Sequence, residues 1–115
     1  MQYLLMIYSR EAEVGTLTQA EGAKLMEEYN ALTKALQDQK KWLGGNRLKP
    51  TSTATTVRQR DGKTAVTHGP FAETREQLGG YYLVEAADLD EACAIAARIP
   101  AARLGSIEVR PLWPL

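Results

Sequence analysis

The chain of 115 residues sets 14 Lys and Arg against 14 Asp and Glu, with one His, one Cys and 44% hydrophobic residues. That length fits one small domain with a single core, and zero net charge leaves no surplus of cations for a nucleic-acid backbone. One His and one Cys exclude an internal disulfide and a Cys/His zinc site within the chain.

The opening MQYLLMIYSREAE has a short apolar run, no basic stretch before it and acids soon after. Neither a signal peptide nor a membrane span is expected, and the sequence reads as cytoplasmic. Tyr3 to Tyr8 is apolar at both alternating sets of positions, as in a central strand covered on two sides. A polar loop follows from Ser9 to Leu17. Thr18 and Glu21 then have capping-box spacing, and Leu25, Tyr29, Leu32 and Leu36 recur as a helical stripe. This helix is expected from about 18 to 41, ending before Gly44-Gly45.

Trp42 to Leu48 reads as a short extended segment, and Pro50-Thr-Ser-Thr53 as a loop. Ala54 to Arg60 and Lys63 to Thr67 are joined by Asp61-Gly62, the sequence that favours a two-residue type I′ hairpin. The register sets Arg60 opposite Lys63, Arg58 opposite Ala65 and Val57 opposite Val66. Thr74 and Gln77 suggest a second capping box around one helical turn carrying Glu73, Arg75 and Glu76, stopped by Gly79-Gly80. A strand from Tyr81 to Ala86 follows, then a helix capped by Asp88 and running to Arg98, with Leu89, Ala92, Ala96 and Ile99 inward. The last strand, Ser106 to Arg110, puts Ile107 and Val109 on one face and Ser106, Glu108 and Arg110 on the other. Residues 1–115 form one domain.

Strand, helix, strand, inserted hairpin, strand, helix, strand is the split βαβ order: an α+β, ferredoxin-like βαββαβ sandwich with an inserted β-hairpin. Right-handed crossovers put both long helices on one sheet face and leave the other open. The apolar first strand and the tail Leu112-Trp-Pro-Leu115 hold more apolar surface than a small monomer hides. A homodimer is expected, its sheets facing each other across a cleft.

Three stretches together resemble the YCII-related family, in the branch named for an Asp-Gly-Pro-Phe motif. They are Pro50-Thr-Ser-Thr-Ala-Thr-Thr-Val57, Thr67-His-Gly-Pro-Phe-Ala-Glu-Thr-Arg-Glu-Gln-Leu-Gly-Gly-Tyr-Tyr82 and Gly105-Ser-Ile-Glu-Val-Arg-Pro111. The resemblance implies a dimeric α/β barrel in a bacterial cytoplasmic protein, with polar residues clustered in a cleft. It also implies, for some members, a link with extracytoplasmic-function sigma factors. Two positions depart from the pattern. His68 stands where the motif begins with Asp, replacing an anion by an imidazole, and Arg75 stands where Lys is common, which keeps the charge and changes its hydrogen-bonding shape.

The candidate site follows. His68 is either a general acid or base or a cap for the Gly69-Pro70 turn, with Phe71 a core plug. Arg75 either grips a carboxylate or phosphate or forms a solvated ion pair. Tyr81 and Tyr82 alternate, so one enters the core and the other lines the cleft, with Tyr82 the candidate for ligand contact. Glu108 and Arg110 contact a ligand or pair with each other. Glu11 is a cleft acid or a loop charge. Cys93 reads as a small buried filler, and neither glycine pair has phosphate-loop spacing. No cofactor and no metal are expected. The reading is a small-molecule-binding or cofactor-independent enzymatic dimer; the alternative is a regulatory module associated with a sigma factor.

Overall fold

Alternating apolar residues on both faces place the first strand, β1 (Gln2–Ser9), in the middle of a sheet. The computed structural model describes residues 1–114. It continues with α1 (Glu11–Val14), α2 (Gln19–Asp38), β2 (Trp42–Arg47), β3 (Thr55–Arg60), β4 (Lys63–His68), β5 (Gln77–Glu85), α3 (Leu89–Ala97) and β6 (Ser106–Pro111). Single 3₁₀ turns occupy Thr51–Thr53 and Pro100–Arg103. The main sheet has the order β2-β5-β1-β6, every neighbouring pair antiparallel, an arrangement compatible with a ferredoxin-like fold. β3 and β4 form a separate two-stranded ribbon.

One core lies between the helices and one sheet face. Tyr3, Leu5 and Ile7 of β1 and Tyr82 and Val84 of β5 meet Leu32 and Leu36 of α2 and Ala92, Ile95, Ala96 and Ile99 around α3. The α2 stripe is buried at Leu32 and Leu36 and packs Tyr29 against the core, whereas Leu25 lies outside the core; Thr18 and Glu21 close the capping box from both sides. In α3 the buried face runs through Ile95, while Leu89 is 52% exposed and Cys93 is exposed. The inward arc of this helix is centred on Ala92, Ile95, Ala96 and Ile99, so Leu89 at its first position and Cys93 one step past Ala92 fall outside it. Asp88 caps its start by accepting from the Glu91 N–H at 2.9 Å.

α2 ends earlier than its stripe suggests. Lys40 adopts φ 58°, and the Lys41 N–H reaches back to the Leu36 carbonyl at 2.8 Å, closing a Schellman motif without glycine. Gly44-Gly45 therefore stops nothing and lies within β2. A Cβ on Gly45 would stand 2.6 Å from the Trp42 ring and 2.8 Å from the Tyr81 carbonyl. Its bare backbone lets Trp42 fold against Tyr82, with ring centroids 4.7 Å apart at 88°.

Gly79-Gly80 likewise lies inside β5, where a Cβ on Gly80 would stand 2.8 Å from the Asn46 carbonyl. The helical turn expected around Thr74 to Gln77 is absent, because Gln77 already pairs with Ser9 of β1. Residues 69–76 are irregular, and Phe71 is 77% exposed rather than a core plug. The polar loop after β1 instead contains the single turn α1. The hairpin register is as predicted, with Asp61 and Gly62 at φ 53° and 75°, the left-handed pair of a type I′ turn. No helix among the described residues is long and apolar enough to cross a membrane.

Candidate functional site

Strand pairing determines what shares the sheet face that no helix covers. Leu4 lies beside Leu83 and Arg110, Met6 beside Tyr81 and Glu108, and Tyr8 beside Leu78 and Ser106. On the outer edge Asn46 pairs with Tyr81. Leu4, Met6, Tyr8, Leu78, Tyr81 and Leu83 are each partly exposed there, in a continuous apolar field. Polar groups ring it. Asn46 Nδ2 donates to the Tyr81 hydroxyl at 2.8 Å, Ser106 Oγ donates to Glu76 Oε1 at 2.8 Å, and Arg110 Nε donates to Glu108 Oε2. This is a surface that holds an apolar body by contact and fixes its polar substituents by hydrogen bonds.

Glu108 and Arg110 occupy this face, paired with each other and solvent-exposed in the single chain. The two tyrosines have the reverse of the expected places. Tyr82 is 7% exposed in the core, its hydroxyl 3.0 Å from Thr33 Oγ1, and burial pushes its phenol above the ordinary 10.0. Tyr81 carries the hydroxyl of the open face. The signal for this was in the strand: Glu85 shares the parity of Tyr81 and Leu83, whereas Val84 and Ala86 share that of Tyr82. A charged residue marks the solvated side.

Glu11 stands at the end of the sheet, where it organises a loop. Its carboxylate accepts from the Thr51 backbone N–H and from the Thr51 hydroxyl, each at 2.8 Å. Its own N–H donates to Gln77 Oε1 at 3.0 Å, and Gln77 Nε2 donates to the Thr74 carbonyl at 2.6 Å. Sequence did not single out Asn46 or Thr51 for the site, and it placed Glu76 and Gln77 on a helical turn and Ser106 merely on the strand face of Glu108 and Arg110. Isolated polar residues on strands and loops have no spacing signature, and only the pairing register gathers them.

His68 ends β4, opposite Thr55, and is exposed. The base of its ribbon is closed by the Gly69 N–H to the Ala54 carbonyl at 2.7 Å and by the Thr56 hydroxyl to the Gly69 carbonyl at 2.9 Å. Gly69 has φ 100°, which only glycine adopts without strain. Arg75 is exposed on the irregular segment and forms no ion pair among the described residues. A single chain thus brings Glu108, Arg110 and Tyr81 together on the open face, places Glu11 at its end, and holds His68 at the root of the ribbon, outside that group.

No group of three or more His, Cys, Asp or Glu among the described residues is placed to hold a metal ion. A shallow apolar groove of about 240 Å³ lies between α3 and β6, with Cys93 on its wall.

Comparison with known proteins fits this architecture. A family profile described as YCII-related domain matches residues 1–115. An uncharacterized protein of Rhizobium meliloti (strain 1021) is 39% identical over 114 residues, covering 97% of this chain and 92% of that protein. Among solved structures, 5-chloro-2-hydroxyhydroquinone dehydrochlorinase (TftG) from Burkholderia phenoliruptrix, in complex with 2,5-dihydroxybenzoquinone, superposes with a TM-score of 0.51. It is 15% identical, and the match covers 98% of this chain and 94% of that one. At that identity the likeness is one of fold.

Proposed function

The chain belongs to the YCII-related domain family, and from that premise we propose that it is a small-molecule-binding or cofactor-independent enzymatic dimer. Two copies set their open sheet faces together, and the ligand occupies the cleft between them. The carrying observation is that open face: an apolar field of Leu4, Met6, Leu78 and Leu83 rimmed by the Tyr81 hydroxyl and the Glu108–Arg110 pair. An apolar sheet face of this kind on a small domain marks an interaction surface, and closing it over a ligand strengthens every polar contact inside. The fold neighbour, a dehydrochlorinase in complex with 2,5-dihydroxybenzoquinone, supports a small cyclic compound as the class of ligand. In the cleft Tyr81 and Arg110 orient oxygen substituents, Glu108 accepts protons, Arg75 supplies a further cation and His68 acts as the acid or base.

Thermal unfolding across a panel of small phenols, quinones and carboxylates tests this, with wild type, Tyr81→Phe, Glu108→Gln and His68→Ala side by side. A ligand at a hundredfold its Kd adds about 2.7 kcal/mol to the folded state. Wild type is expected to respond to one class and Tyr81→Phe and Glu108→Gln to respond less. A panel that leaves wild type unmoved, while a sigma factor is recovered by pull-down, would replace this reading with the regulatory one.

A further inference from the structure

Among the described residues the β3–β4 ribbon has no substantial packing against any other element of its own chain. Of its 12 strand residues all but Thr56 are exposed, although an isolated two-stranded hairpin is marginal in water. The whole chain shows the same thing in its dimensions. Its radius of gyration is 16.1 Å, against about 13 Å for a compact domain of this length. Its thickness of 19 Å is that of one sheet and one helix layer, roughly 20 Å. The ribbon therefore extends in the plane of the slab and folds back over neither face.

Its two faces differ. Thr55, Val57 and Gln59 lie opposite His68, Val66 and Thr64, so these six share one side. Val57 and Val66 form a cross-strand apolar pair there, 61% and 62% exposed. The other side carries Arg58, Arg60 and Lys63 and remains suited to water. One face is built for contact and the other for solvent.

We propose that this ribbon is an arm that lies on a second copy of the chain, valine side down, so that His68, on the same side at the arm's root, is turned toward that copy and enters the cleft in trans. This deepens the facing-sheet reading and rests on it. Area identifies the occupant. A four-stranded face with strands ~4.8 Å apart and six residues at ~3.3 Å each has a flat footprint of roughly 400 Å². A stable interface takes about 800 Å² per partner. The valine face of one arm and the equal surface it covers on the other copy make up the difference, at roughly 200 Å² each by the same spacings. The arm is rooted at the end of the sheet, where the Leu48 N–H donates to the Gly79 carbonyl and Thr51 donates to Glu11, and beyond that root it overhangs its own slab and is free to meet a second copy. A cleft completed this way takes the Tyr81, Glu108 and Arg110 groups from one copy and His68 from the other.

Sedimentation equilibrium on the full chain tests the arm. The double substitution Val57→Lys/Val66→Lys is expected to raise the dimer dissociation constant at least tenfold. Near-ultraviolet circular dichroism of the Trp42–Tyr82 core should be unchanged, since Val57 and Val66 lie outside that core. A dissociation constant equal to that of wild type overturns the arm and leaves the facing sheets standing. A wild type monomeric at micromolar concentration overturns both, whereas Met6→Lys dissociating a wild-type dimer supports the sheets alone. Should the double variant fail to fold, wild type supplies the answer. In dimers mixed from isotope-labelled and unlabelled chains, the single His ring is expected to show nuclear Overhauser contacts to the other chain. Contacts only within its own chain overturn delivery in trans.

Discussion

The Glu11 carboxylate holds Thr51 by two hydrogen bonds, one to its backbone N–H and one to its hydroxyl, both 2.8 Å long. Thr51 begins the 3₁₀ turn from which the ribbon springs, so an acid at the end of β1 sets where the arm leaves the sheet. Charge-assisted bonds of this kind contribute about 1.5–3 kcal/mol. Glu11→Ala is accordingly expected to cost about 2 kcal/mol in urea unfolding and to speed hydrogen exchange of the amides at 51–55. Unchanged exchange there would show that Glu11 does not anchor the arm.

The neighbouring glycines of β2 make a matched pair. A Cβ on Gly45 collides with the Trp42 ring and the Tyr81 carbonyl, whereas one on Gly44 meets nothing within 4 Å. Gly45→Ala is expected to destabilise by about 1–3 kcal/mol, the usual cost of overpacking, and to alter the near-ultraviolet signal of Trp42. Gly44→Ala should fall within about 0.5 kcal/mol of wild type. Equal costs at the two positions would mean that the Trp42–Tyr82 contact does not depend on the bare backbone of Gly45.

Sequence carried the fold further than the site, for a physical reason. The Thr18–Glu21 capping box, the Asp88 cap and the Asp61-Gly62 turn are local, and the structure keeps each where spacing puts it, whereas the box expected at Thr74 and Gln77 yields to the long-range pairing of Gln77 with Ser9. The glycine pairs deceived because glycine serves two ends: it stops helices by its left-handed freedom, and it admits close approach inside a sheet. Here Gly45 and Gly80 serve the second end. Whether Tyr81 or Tyr82 meets the core depends on the face against which α2 packs, a tertiary fact with only the faint local trace of Glu85. The links from Glu11 to Thr51, and from Ser106 to Glu76, span 40 and 30 residues, and no spacing rule reaches across such distances.

The pH dependence of stability has an acid limb tied to Glu91. A hydrogen bond from the Lys41 ammonium, 2.8 Å away, holds its carboxyl below the ordinary 4.5, with further help from the Ala87 N–H. A carboxyl lowered on folding contributes stability above its unfolded value and loses it as pH falls through its folded value. Lys41→Met is therefore expected to lower stability at pH 7 by a small amount that vanishes as pH drops below about 4. Urea unfolding of both proteins between pH 7 and pH 3 measures this. A gap that widens on acidification would contradict the assignment.

The two adjacent tyrosines separate stability from binding. Tyr82 shares a hydrogen bond with Thr33 at the edge of the core and stands edge-on to both Trp42 and Tyr29. Removing its hydroxyl leaves Thr33 unpaired, so Tyr82→Phe should cost about 1 kcal/mol and leave ligand-induced shifts in melting temperature intact. It should also delete a late-ionising phenol from the spectrophotometric titration, since burial raises this group above 10.0. Tyr81 faces the open side with only the Asn46 amide as partner. Tyr81→Phe should leave stability within about 0.5 kcal/mol of wild type and weaken any ligand found by thermal shift. If Tyr82→Phe abolished ligand binding and Tyr81→Phe did not, the ligand would lie on the helix side of the sheet, and the open face would be an interface alone.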